Sequence, residues 1–173
     1  MDFKQLKEVT RLLEEQHISY ALGGSGLLYS LGLTKTVNDW DITTDASEKE
    51  ITTALKEIPF HKAKVGTYPF VSPFLLQIPS SPMPIEIIGR FSIFTAEGKV
   101  CPIPTIHTFT WQGIKIGSPE AWYVAYTLMQ REEKAKILLH YLQEKGVSST
   151  SIDELLKTPL PESITSTLKR LLN

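Results

Sequence analysis

Apolar positions Phe3, Leu6, Val9, Leu12 and Leu13 recur at helical spacing, with Glu14, Glu15 and Gln16 following on a wetter face. The pattern predicts an amphipathic first helix. The run "ISYALGG" predicts a short buried strand that ends at Gly23 and Gly24, and "SGLLYSLGL" a short helix stopped near Gly32. Polar and large residues alternate in "VNDWDITT", which suits a strand, and Ser47 and Glu50 in "SEKE" have capping-box spacing at the start of a helix that ends before Pro59. The order is helix, strand, helix, strand, helix, an α/β arrangement.

From Phe60 to Ile116 prolines punctuate three β-rich pieces, "YPFVSPFLLQI", "PIEIIGRFSIF" and "WQGIKIG", which predict a meander of strands with irregular joints. Helical pattern returns at Ser118, a suitable N-cap, with Pro119 at the favoured first position and Glu120 at the positive helix start. Residues 119 to about 145 predict two helices, or one bent helix, closed by Gly146. Ser151 and Glu154 repeat the capping-box spacing, and "ESITSTLKRLLN" predicts a last amphipathic helix. The expected organisation is a core over 1–117 followed by a helical segment, 118–173, packed on it.

Length and composition keep this picture simple. The chain has 173 residues, 42% of them hydrophobic, which suits one well-cored domain with a helical appendage. Net charge is −1 and the 18 Lys and Arg residues are dispersed, so no footprint for long nucleic acid is present. The single Cys101 cannot form an internal disulfide, and no signal peptide or membrane-length apolar run is read, so a cytoplasmic location away from membranes is the expectation.

Two ends of "LGGSGLLYSLGLTKTVNDWDITTD" carry candidate chemistry. Gly23 and Gly24 allow a sharp turn and close backbone approach at a helix start that favours an anion, and Ser25 adds a hydroxyl. They suit phosphate, or they only make a tight strand-to-helix turn. On a strand, Asp39 and Asp41 share one face while Trp40 and Ile42 point into the other. Their Cα atoms would lie about 6.6 Å apart, close enough to share a hard cation such as Mg²⁺. A polar strand edge facing solvent is the plainer reading. Glu86 is a lone charge among Ile85, Ile87 and Ile88. It is a third carboxylate from a neighbouring strand, roughly 4.8 Å away, or an exposed residue on an edge strand, or a partner for Arg90.

Gly-Gly-Ser, 13 intervening residues, Asp39-Trp40-Asp41 and the later Glu86 together resemble the nucleotidyltransferase superfamily of the DNA polymerase β type. The likeness is nearest to minimal bacterial nucleotidyltransferases, which include aminoglycoside nucleotidyltransferases and antitoxin-like proteins. It covers about residues 1–90, with a fainter extension through "IKIGSPEAWYVAYTLMQREEKAKILLHYL". The resemblance implies a mixed β-sheet with helices packed on it and a C-terminal helical tail. It also implies that Gly23, Gly24, Ser25, Arg131 and Lys134 bind nucleotide, and that Asp39, Asp41 and Glu86 are catalytic and hold metal. The cofactor would be two Mg²⁺ ions, or Mn²⁺, and the donor an NTP, ATP first. The implied reaction moves an NMP group to a hydroxyl of an unidentified acceptor, small molecule or macromolecule, and releases pyrophosphate. Three positions depart from the pattern. Val37 stands where a hydroxyl is common, Ala135 stands where an acid is common, and no lysine precedes Arg131 on the first helix after Ser118.

The departures keep a second reading open, a catalytically weak or inactive binding or antitoxin-like protein on the same fold. "DWDIT" also matches the Asp-x-Asp-x-Thr of haloacid-dehalogenase-like phosphatases, but "TKTVN" is a poor strand lead and no Asp lies between 45 and 153. An Asp-x-Asp glycosyltransferase would need a larger chain. His17, His61, His107 and His140 lack ligand spacing and read as surface or core residues. Trp122 could reach the cleft from its helix.

Overall fold

The structure, a computed structural model, describes residues 3–173. The chain orders as α1 (Lys4–Glu15), β1 (Ala21–Leu22), α2 (Gly24–Ser30), β2 (Trp40–Thr44) and α3 (Glu48–Ala54), then β3 (His61–Ala63), β4 (Phe74–Ile78), β5 (Ile85–Gly89), β6 (Ser92–Phe94), β7 (Val100–Pro102), β8 (His107–Trp111) and β9 (Ile114–Gly117). Helices α4 (Pro119–Leu128), α5 (Glu132–Lys145), α6 (Ser149–Leu156) and α7 (Glu162–Leu171) complete it. This is an α/β chain built on a mixed sheet with a helical C-terminal part.

Seven strands form one sheet in the order β3-β4-β5-β2-β1-β9-β8, and β6 and β7 pair separately. Strands β2 and β5 run parallel, as do β1 and β9; the other neighbours are antiparallel. The expected meander over 60–116 is therefore corrected: its strands go to three places. β3–β5 extend one side of the sheet, β6–β7 stand apart, and the β8–β9 hairpin closes the far side. The cause is β1, which pairs with β2 along one edge and leaves the other free for Leu22 to pair with Ile116. A parallel partner needs a long connection, and residues 23–113 lie between the two strands.

The alternation of β4 and β5 fixes which side is which. Phe74, Leu76, Ile78, Ile85 and Ile87 are buried on the back face, joined by Trp40 and Ile42 of β2. Trp40 meets Phe3, just before α1, edge-on at 5.6 Å. Between them on the front face lie Asp41, Leu75, Gln77, Glu86 and Ile88, all half-buried. A one-residue slip in either strand would drive the isoleucines into solvent, so the apolar back face locks the register of the polar front.

Local signals set the helix ends. Ser47 and Glu50 form a reciprocal capping box at α3. Ser118 accepts a hydrogen bond from the Ala121 N–H, with Pro119 at N1 of α4. α4 and α5 are two separate helices, and Gly146 ends the second at φ 86°. The cap of α6 is Ser148, which accepts from the Ser151 N–H, in place of the expected Ser151. The Ser148 N–H itself donates to buried Glu120 Oε1 at 2.7 Å, so a contact with α4 decides which serine starts the helix. No described helix is long and apolar enough to cross a membrane.

Candidate active site

The front face of the sheet and the helices beyond it enclose a cavity of about 410 Å³. Sheet register assembles its floor. Asp41 pairs with Glu86, Glu86 with Gln77, and Gln77 with His61, so four consecutive strands carry one polar row. The next row is Thr43, Ile88, Leu75 and Ala63. Asp39 lies one residue before β2, outside the strand expected to carry it, and only Asp41 is a strand residue. Carboxylate oxygens of Asp39, Asp41 and Glu86 all lie within 4.8 Å of one another. Glu86 belongs to β5, which has neighbours on both sides, and so is not an edge residue. Arg90 turns elsewhere, donating from Nε to the Asp45 carbonyl at 3.4 Å.

Gln77 Nε2 donates to Glu86 Oε1 at 2.6 Å, and His61 Nε2 lies 2.9 Å from Gln77 Oε1. An amide oxygen can only accept, so His61 Nε2 carries the hydrogen of this bond. Glu86 is thereby held by an amide that a histidine holds in turn. Sequence reasoning missed both residues. Gln77 had the same signal as Glu86, a lone polar side chain in an apolar strand, but no charge to draw attention to it.

The glycine turn approaches this floor at contact distance. The Gly23 N–H donates to the Asp41 carbonyl at 2.7 Å. Gly24 adopts φ +54°, and a Cβ there would lie 1.7 Å from Asp41 Oδ2. At Gly23 a Cβ would lie 1.9 Å from the Trp122 ring. Ser25 is buried; its hydroxyl donates to the Asp39 carbonyl and accepts from the Asn38 N–H, both at 3.3 Å. Its shown work is to fasten the turn that presents Asp39, while it also lines the cavity.

Arg131 and Lys134, from the start of α5, line the cavity opposite the acids, and Trp122 of α4 reaches it, stacked on Phe91 at 5.5 Å. Lys134 Nζ sits 5.3 Å from the centre of the Tyr126 ring. Burial, reinforced by Arg131, holds the Lys134 ammonium below its usual range. Burial also raises the Tyr126 phenol, whose hydroxyl has no partner among the described residues.

Electrostatics single out Asp41. Burial first, then the like charges of Asp39 and Glu86, push its carboxyl up to about 8 against the opposing pull of Arg131 and Lys134. Three carboxylates so close cannot all ionise comfortably without a cation. Their oxygen donors fit a hard divalent ion, and the cations across the cavity fit a polyanion.

No family model and no curated protein sequence matches this chain. Solved structures do. TM1012 of Thermotoga maritima, described as a candidate nucleotidyltransferase, is similar over 82% of this chain and 92% of its own, at 24% identity and a TM-score of 0.58. The crystal structure of ANT(2'')-Ia in complex with adenylyl-2''-tobramycin matches over 96% of both chains at 13% identity and 0.58. The solution structure of the antibiotic-resistance factor ANT(2'')-Ia matches over 98% of this chain and 94% of its own at 15% identity and 0.57. At these identities the fold is what is shared, and this chain has the nucleotidyltransferase fold.

Proposed function

We propose that this chain is a metal-dependent nucleotidyltransferase that moves a nucleoside monophosphate from an NTP, ATP first, to a hydroxyl acceptor with release of pyrophosphate. The observation that carries this reading is the meeting of Asp39, Asp41 and Glu86 in one cavity, faced by Arg131 and Lys134. Adenylyl-2''-tobramycin on ANT(2'')-Ia is the product expected of such a transfer by a protein of the same fold.

In the proposed step the acceptor oxygen attacks the α-phosphorus and forms a new P–O bond. The bond from that phosphorus to the bridging oxygen breaks, and pyrophosphate leaves with the electron pair. Glu86 receives the acceptor's proton, held in place by Gln77. Mg²⁺ or Mn²⁺ held by Asp39, Asp41 and Glu86 would supply charge neutralisation at the phosphates. Arg131 and Lys134 attract the triphosphate, Ser25 lines the cavity beside it, and Gly23 and Gly24 make room for Trp122 and Asp41 to close in on the floor. Positioning and electrostatics then provide most of the acceleration.

Incubation with α-labelled NTPs, Mg²⁺ and hydroxyl acceptors tests this directly. Labelled acceptor and pyrophosphate should appear with the native chain. If nucleotide binds with Mg²⁺ but neither product forms, and Asp41→Asn alters binding alone, the chain is a nucleotide-binding protein on a transferase fold.

The amide behind Glu86 gives a separate expectation. Replacing Gln77 with Leu removes the donor while keeping the bulk, and should weaken Mn²⁺ binding by about 10–100-fold, as loss of an outer-shell partner commonly does. Calorimetric titration reads the affinity, and a melting curve checks the fold. An affinity within twofold of the native chain would show that Gln77 does not orient Glu86.

A further inference from the structure

The cavity has two sides with different chemistry. Toward α5 it continues past Asn38, Arg131 and Lys134 into a second, open cavity that those residues share. That is the side suited to the triphosphate. On the other side, over β3 and β4, the floor is the apolar row of Ile88, Leu75 and Ala63, and Phe70 lines the wall. An acceptor whose hydroxyl reaches Glu86 has its body here.

Charge on that side runs one way. The carboxylates that line the cavity are Asp39, Asp41 and Glu86, all drawn together at one point. Cations held by Asp39 and Asp41 would serve the triphosphate, and Glu86 would take the proton of the acceptor's hydroxyl, so none of the three is left to pair with a positive charge elsewhere on the acceptor. Glu132 and Glu133 line only the second cavity and lie close to Lys136. Lys64, by contrast, lines the acceptor side, is exposed, and enters no ion pair among the described residues. An ammonium group on the acceptor would meet Lys64 and no free carboxylate, and its lost hydration would go uncompensated.

Resting on the nucleotidyl-transfer reading above, we infer that the acceptor is a hydroxyl compound with an apolar ring or chain and no positive charge, its anionic or polar group directed to Lys64. A polycationic amino sugar is excluded by the same count. The transfer balances as already written: the acceptor oxygen gains the phosphorus, its proton goes to Glu86, and pyrophosphate departs.

Three probes that share one phenol ring and differ in the charge of the side group test this: 4-hydroxyphenylacetate, tyrosol and tyramine. The protein is first titrated with Mg²⁺ and a non-hydrolysable ATP analogue, and each probe is then titrated calorimetrically into the loaded protein. 4-Hydroxyphenylacetate and tyrosol should bind at least about tenfold more tightly than tyramine. Lys64→Glu, a change at an exposed position, should abolish or reverse that order. Failure of the analogue to bind overturns the nucleotidyl-transfer reading and this inference with it. If the analogue binds, the inference alone is overturned by tyramine matching the other probes, by no probe binding, or by an order that Lys64→Glu leaves unchanged.

Discussion

Asp41→Asn is expected to abolish transfer and, in the absence of metal, to make the protein more stable. Both effects have one cause. The folded protein holds the Asp41 carboxyl up to about 8, through burial first and then through Asp39 and Glu86, whereas an unfolded aspartate titrates near about 3.9. Between those values the folded state binds more protons than the unfolded one, so stability falls as pH rises through the window from about 4 to about 8. Asparagine keeps the shape and removes the ionisation. In EDTA the melting temperature of the native chain should therefore drop between pH 4.5 and 8 by an amount that Asp41→Asn does not show. At pH 8 the variant should melt roughly 5–10 °C above the native chain, the scale of a few kcal/mol in a domain of this size.

Mg²⁺ should reverse that ranking. A cation replaces the proton on Asp41, so the native chain gains stability on adding metal, most at high pH, while the variant gains little. The expected loss of transfer is on the order of 10³-fold or more, about 4 kcal/mol of barrier. The stability measured against pH, with and without metal, is decisive even before an acceptor is known. A variant that melts below the native chain in EDTA at every pH would make Asp41 a structural residue and remove the basis of the metal centre.

What the sequence discloses about such a site depends on how local the cause is. The capping box at Ser47 and Glu50 and the Ser118-Pro119 start are legible because a few adjacent residues decide them. The glycine turn and the alternation around Trp40 are legible for the same reason. Glu86 stands out as a charge that an isoleucine strand does not explain, and β5 does lie beside β2. Its support is less visible. Gln77 becomes informative only once the β4–β5 register sets it opposite Glu86, and His61 only once β3 is added. The far edge of the sheet is harder still. No local signal says that Leu22 pairs with Ile116, because that pairing depends on which edge of a two-residue strand is left open. At α6 the sequence "VSSTSIDE" offers several serines as caps, and a carboxylate from another helix chooses among them.

The glycine turn leads to the second large expectation, which separates two reasons for keeping Gly24. As a residue type it suits a turn that receives phosphate, yet the space its Cβ would fill belongs to Asp41. Gly24→Ala should destabilise the fold by more than about 3 kcal/mol, because two costs combine. The φ of +54° carries about 1–2 kcal/mol for a residue with a Cβ, and an atom 1.7 Å from Asp41 Oδ2 cannot be accommodated unless the carboxylate or the helix start moves. Gly32→Ala isolates the first cost: its φ is +72° and nothing lies within 4 Å of the added carbon. That variant should lose only about 1–2 kcal/mol. Asp41→Ala isolates the second, since removing Oδ2 and Cγ clears the nearest contacts. In the Asp41→Ala background, Gly24→Ala should cost little more than Gly32→Ala does in the native chain, giving a coupling of at least about 1 kcal/mol in a double-mutant cycle. Denaturant unfolding of the five proteins measures it. Additive costs would mean that Gly24 serves the turn or a ligand and not the carboxylate. A coupling of the expected sign would mean that position 24 is glycine because Asp41, seventeen positions later, needs the room.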